Sequence, residues 1–217
     1  MAIVSSNNLG RIRKKSGPNT FRKWRTETVM AVYTSNVRNP NTEAQQLVRT
    51  RFKAISVLAR GFKAAYKVGF KAVTDGTKTP PRAYFIKQNW SHVHADVPGS
   101  STIDYESLVI SNGSLPQVNT GAVTATNPLE VNIALNDSGT DVGANEADKC
   151  FAVVYNPTTK SAVMSQEVLR VEEDIKVNVP SSWNGNRVHV YLFAVGGGDN
   201  NMGETSNSQY LGSVSIS

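Results

Sequence analysis

Lys149-Cys-Phe-Ala-Val-Val-Tyr155 is followed at once by Asn156-Pro-Thr-Thr-Lys160 and then by Ser161-Ala-Val-Met-Ser-Gln166. The first run is β-branched and aromatic, the second is a cluster of turn formers, and the third is again rich in strand formers. The stretch therefore reads as a β-hairpin. Working outward, similar short runs recur at Ser107–Ser111, Ala122–Thr126, Leu129–Leu135, Asp174–Val179, Arg187–Ala194 and Leu211–Ile216. Seven or eight short strands with regular turn signals predict an immunoglobulin-like antiparallel β-sandwich over residues 101–217. A single cysteine, Cys150, excludes the Cys-Trp-Cys signature of true immunoglobulin domains, so the expectation concerns architecture alone.

Upstream of the strands the period changes. Thr42-Glu-Ala-Gln45 fits a capping box, in which the Thr hydroxyl and Gln side chain satisfy the first free N–H groups. Val48, Phe52, Ile55, Ala59, Phe62, Tyr66, Gly69 and Val73 then follow in alternating steps of four and three, widened by Leu47, Leu58, Ala65 and Phe70. The pattern predicts one helix over 41–74, roughly 45 Å long at ~1.5 Å per residue. A rod of that length exceeds the width of a compact sandwich, so part of it is expected to pack on another chain. Residues 1–40 read as a basic extended arm, broken by Gly10, Gly17-Pro18 and Asn39-Pro40, with Glu27–Tyr33 able to pair as a strand. Residues 75–100 read as a connector. The expected class is α+β, mainly β: a basic extended N-terminal arm and one long helix, then the sandwich.

Charge divides the same way. Residues 1–74 hold fifteen Lys/Arg against Glu27 and Glu43, a net of +13, whereas residues 75–217 hold eight basic and fifteen acidic residues, a net of −7. On the helix, Arg49, Lys53, Arg60, Lys63, Lys67 and Lys71 form one stripe with no acid between Ala44 and Thr74. Like charges at i,i+4 oppose the helix by a few tenths of a kcal/mol per pair, which implies an anionic counter-surface. With Arg11, Arg13, Lys14, Lys15, Arg22 and Trp24 of the arm, these are the candidate subunit-interface or anionic-partner contacts. That partner is nucleic acid, an acidic protein surface or the acidic half of another copy. The N-terminus lacks the basic-then-apolar pattern of a signal peptide and no run reaches the ~18 apolar residues of a membrane span, so no membrane insertion is expected.

Chemistry-bearing patterns are sparse. His92 and His94 would share a strand face, with His189 or Asp96 as a third zinc ligand, but surface histidines beside Trp90 are the simpler reading. Glu172-Glu173-Asp174 lies in a turn without a nearby histidine, and Gly196-Gly-Gly198 precedes no helix and reads as a mobile loop rather than a phosphate site. Cys150 reads as a buried strand residue. No catalytic, metal or cofactor residues are assigned, and the expectation is a non-enzymatic protein without cofactors.

Gly17-Pro-Asn-Thr-Phe-Arg-Lys-Trp24, Asn39-Pro-Asn-Thr-Glu-Ala-Gln45 leading through Arg49 and Arg51-Phe52, Val188-His-Val-Tyr-Leu192 and Ser208-Gln-Tyr-Leu-Gly-Ser213 together resemble a functionally uncharacterised family of about this length from Bacteroidota and their phages. One departure is Arg13-Lys-Lys-Ser-Gly17, where the family carries a glycine-lysine-x-glycine turn. The resemblance implies a structural protein of a phage virion, a ring of the head–tail connector or tail or a decoration of the capsid. Its expected partners are itself, as a homo-oligomer, and other virion proteins, and its places are the virion and, during assembly, the host cytoplasm. Two alternatives stand beside it. One is a non-specific nucleic-acid-binding protein using the arm and helix stripe. The other is a surface- or carbohydrate-binding sandwich, for which Trp90 and Trp183 are the available aromatics. Stoichiometry, symmetry and position in the particle do not follow from the sequence.

Overall fold

The computed structural model describes residues 2–4, 14–24, 27–33, 40–125, 127–139, 141–199 and 201–216. The chain separates into two compact units, Met1–Thr42 and Glu43–Ser217.

In the first unit, the described residues are not an extended arm but an antiparallel sheet. Strands β1 (Ala2–Val4), β2 (Lys14–Ser16), β3 (Asn19–Trp24) and β4 (Glu27–Val32) pair in the order β1-β4-β3-β2. β2 and β3 turn at Gly17-Pro18, where Gly17 has φ +57°, a conformation open to glycine without strain. Val29 is the buried side chain of β4, and Thr20 donates its hydroxyl to Ala31 O across β3–β4. The expected strand at Glu27–Tyr33 is present as β4; of its two partners β1 is only three residues long, and β3 carries Arg22 and Lys23 between Phe21 and Trp24, which hid its alternation.

The second unit opens with helix α1 (Glu43–Gly61), continued by α2 (Lys63–Gly69) and α3 (Lys71–Thr74). The single expected helix is thus interrupted at Phe62 and Phe70. Bonds from Phe62 N to Leu58 O and from Phe70 N to Tyr66 O carry the axis through both breaks. The cause is tertiary. Phe62 stacks on Tyr155 at 4.7 Å and meets Tyr191 edge-on at 5.5 Å. Gly61 and Gly69 let the helical backbone press inward: a Cβ on Gly69 would lie 2.5 Å from Ile110 O, and one on Gly61 2.9 Å from the Tyr155 ring.

Residues 75–100, read as a connector, hold helix α4 (Pro81–Gln88), a 3-10 turn Trp90–His92 and strand β5 (Val93–Val97), which forms a hairpin with β6 (Ser100–Ile103). Pro81 occupies N1 of α4, where its missing N–H is not needed. Ser107–Ser111, expected as a strand, is irregular although Leu108 and Ile110 are buried. The buried Asn89 carboxamide substitutes for a neighbouring strand: its Nδ2 donates to Val109 O and its Oδ1 accepts from Val109 N, both at 2.7 Å.

The remaining strands are β7 (Thr120–Thr124), β8 (Glu130–Leu135), β9 (Lys149–Asn156), β10 (Ser161–Met164), β11 (Val168–Leu169), β12 (Asp174–Asn178), β13 (Arg187–Val195) and β14 (Gln209–Ser215). They make two antiparallel sheets, β10-β9-β13-β14 with β11 also on β9, and β12-β8-β7. β9 and β13 are buried on both faces, which is why they read as continuous apolar runs. Cys150, Ala152, Val154, Val188, Val190, Leu192 and Ala194 pack with Val131, Ile133, Ile175 and Val177 of the smaller sheet. The alternate residues Val153, Tyr155, Tyr191 and Phe193 pack with Ile55, Leu58, Phe62, Phe70 and Phe85 of the helices. The second unit is therefore mainly β, with a helical layer, a central sheet and a smaller sheet. No helix among the described residues is long and apolar enough to cross a membrane.

Candidate interaction surface

The helical stripe emerges on the side of α1–α3 away from the core. Arg49, Lys53, Arg60, Lys63, Lys67 and Lys71 are all exposed. At ~100° per residue they fall within an arc of about 80°, well away from the line of Ile55, Ala59, Phe62 and Tyr66 that faces the sheet. Two members of the apolar seam are left outside: Val48 is 57% exposed and Phe52 50%. The buried part of the seam begins at Ile55. Arg51, which is not on the stripe, turns back instead. Its guanidinium lies 4.3 Å from the Trp90 ring centroid and donates to Trp90 O.

Of the expected arm residues, Arg11 and Arg13 lie outside the described residues. Lys14, Lys15, Arg22 and Trp24 are exposed on β2 and β3. Lys15 places its ammonium 3.9 Å from the Tyr33 ring centroid, a cation–π contact of about 0.5–1 kcal/mol at an exposed site. Trp24 closes β3 opposite Glu27 and is 47% exposed.

Beside the middle of α1 lies a pocket of 410 Å³ that the sequence did not disclose. Ala54, Val57 and Leu58 form one wall and Ile103, Tyr105 and Tyr155 the other; Gly99 and Ser101 of the β5–β6 hairpin and Pro157 close its ends. Gly99 N donates to Thr50 Oγ1 at 3.0 Å, fastening the hairpin to the helix. Arg49, Lys53 and Lys160 line the same pocket and no carboxylate does. Its lining comes from three separate stretches of chain, 49–58, 99–105 and 155–160, so sequence spacing could not have assembled it. A second cavity, of 660 Å³, lies along β10, β11 and β12 and has the opposite character: Glu167, Glu172 and Asp174 line it against Lys176 alone.

The acidic side is organised around one buried cation. Arg170, fully buried, places Nη2 3.0 Å from Asp137 Oδ2 and Nη1 3.2 Å from Asp148 Oδ2, and donates to Gln117 O at 2.6 Å. Burial pushes the Asp137 carboxyl up. The hydrogen bond from Arg170 and those from the Asn119 and Gly139 amides outweigh that effect and hold it below the usual range. Asp148 also accepts from Gly197 N at 3.2 Å and Asn201 Nδ2 at 2.9 Å. The glycine-rich segment read as a mobile loop is thereby hydrogen-bonded to the network.

The remaining chemistry-bearing residues are dispersed. His92 lies in the 3-10 turn and His94 is exposed on β5. His189 stacks on Tyr105 at 4.3 Å and shares a hydrogen bond with Tyr210 Oη at 2.9 Å. Among the described residues no group of three His, Cys, Asp or Glu is placed to hold a metal ion. Cys150 is buried on β9, its thiol pushed up to about 12 by burial. No curated protein matches the chain. Over residues 11–212 it matches the model of the family of unknown function DUF6266, and the chain belongs to that family.

Proposed function

We propose that the protein is a non-enzymatic structural subunit of a phage virion, assembling into a ring of the head–tail connector or tail, or onto the capsid, through its cationic helix face and basic N-terminal segment. The observation that carries this reading is the outer side of α1–α3: six exposed cations with no interleaved acid, beside a seam whose first two apolar residues lie outside the core. Covering the exposed halves of Val48 and Phe52 against a neighbour contributes about 2 kcal/mol together, at ~1.5–3 kcal/mol per fully buried side chain. The opposite net charges of residues 1–74 and 75–217 favour head-to-tail encounter between copies. In this reading residues 101–217 are an immunoglobulin-like sandwich forming the wall of the assembly. The strand orders β7-β8-β12 and β10-β9-β13-β14 support it.

The same cationic face favours a second reading, non-specific nucleic-acid binding. The carbohydrate-binding alternative draws no support from its two aromatics, since Trp183 is 2% exposed and Trp90 lies under Arg51. The test is purification of virions from a producing host, with copy number measured against the major capsid protein. Stoichiometric, repeated copies are expected; absence from virions overturns the reading. Retention on DNA with a log–log salt slope of about 0.9 per phosphate contact, lost on reversing Lys53, Arg60 and Lys67 to Glu, would favour the second reading.

A further inference from the structure

The 43–217 unit carries, at the two ends of β9, a knob and a socket of opposite charge. The knob is the turn at 169–173. Arg170 is drawn fully inward by Asp137 and Asp148, so the residues on either side turn out, and Leu169 and Val171 are each 43% exposed. Glu172 and Glu173 follow them and are exposed. Arg170 N bonded to Asp148 O at 2.9 Å, Glu172 N to Leu169 O at 3.1 Å and Leu135 N to Glu173 O at 2.8 Å fix the turn's backbone. The tip is thus preorganised and loses little freedom on docking. It presents two aliphatic side chains next to two carboxylates, of which Leu169 and Glu172 also border the acidic cavity along β10–β12.

The socket is the 410 Å³ pocket beside α1. Its walls are aliphatic and aromatic, and its charged lining residues are Arg49, Lys53 and Lys160. It suits an apolar group carrying a negative charge. The knob begins where Leu169 pairs with Lys149, and the socket includes Tyr155 of the same strand. Those two points are ~20 Å apart along β9 at ~3.3 Å per residue, so no chain fills its own socket. We propose that the 169–173 turn of one copy seats in the α1 pocket of a second copy, with Leu169 and Val171 against its apolar walls and Glu172 and Glu173 facing Lys53 and Lys160. The inference rests on the assembly reading above and names the segment that the basic side receives. Because knob and socket are different surfaces, the contact is heterologous and propagates from copy to copy, closing into a ring where the rotation allows.

Sedimentation velocity of the full chain tests it with two double variants, Lys53→Glu with Lys160→Glu in the socket and Glu172→Lys with Glu173→Lys in the knob. Each alone is expected to remain monomeric at concentrations where the unaltered chain associates. An equimolar mixture is expected to associate again, since one variant keeps an intact knob and the other an intact socket. All four changes in one chain restore association too, and this controls for misfolding. Association of both variants at the unaltered level, or no recovery on mixing, overturns the pairing. If association survives both variants and is lost only when Arg60, Lys63, Lys67 and Lys71 are reversed, the pairing falls and helix-face assembly stands. A chain that is monomeric throughout overturns both.

Discussion

Replacing Arg170 with Met should be among the most damaging single substitutions in the second unit. The guanidinium is enclosed, with Asp137 at 3.0 Å and Asp148 at 3.2 Å, and its side chain and theirs are at most 1% exposed. Met fills much of the volume but leaves two carboxylates buried without their cation. Removing one partner of a buried ion pair typically costs about 3–5 kcal/mol, a large part of the ~5–15 kcal/mol that holds a domain folded. At ~2–4 °C per kcal/mol for a chain of this size, the melting temperature should fall by about 6–20 °C. Urea unfolding followed by tryptophan fluorescence measures the loss directly, with Trp183 in the core as reporter. The Arg170→Met, Asp137→Asn, Asp148→Asn triple variant should recover part of the loss, because it no longer buries bare charge. A loss below about 1 kcal/mol in the single variant, with an unchanged denaturant slope, would refute the assignment of Arg170 as the centre of this network.

The same network gives an acid-side signature. The folded carboxyl of Asp137 lies below its unfolded value, so its stabilisation is complete above the unfolded pKa of ~3.9 and is lost as pH falls through the folded value; urea midpoints between pH 5 and 2 should show this loss, and a flat profile would contradict it. Gly69→Ala, stabilising by about 1 kcal/mol at an ordinary helix site, should here destabilise by about 1–3 kcal/mol, since its Cβ would lie 2.5 Å from both Ile110 O and Ser111 Cβ; thermal melts decide the sign. Asn89→Ala should cost about 2–4 kcal/mol and raise amide exchange at Val109, because it strips both bonds from that residue's backbone. Phe52→Ser should lower the melting temperature of the monomer by only about 2–6 °C, given its 50% exposure, while weakening self-association in sedimentation velocity.

Much of the mainly β character was legible because β9 and β13 are rich in β-branched and aromatic residues and turn formers separate the strands. The helix seam from Ile55 to Phe70 was legible for the same reason, in its own period. Its interruption at Phe62 was not, since that residue packs on Tyr155 and Tyr191, about ninety or more positions away. Ser107–Ser111 shows the converse error: apolar alternation without a strand, because one asparagine side chain supplies the hydrogen bonds of a missing neighbour. In β5 and β6 most side chains are exposed, so no burial pattern marked them. At the candidate surface, the stripe could be read because one helix carries it. The socket could not, because Lys160, Tyr105 and Gly99 reach α1 only through the fold. Arg170 offered a fainter signal, a lone cation within Val168-Leu-Arg-Val171.

Self-assembly through the cationic helix face is the claim on which the functional reading turns. Mass photometry of the purified full chain at physiological salt tests it most directly. Discrete multiples of the 23.5 kDa subunit are expected, converging on one closed species and lost when Arg60, Lys63, Lys67 and Lys71 are replaced by Glu. A single 23.5 kDa population at every concentration, or oligomers indifferent to those four replacements, would contradict it.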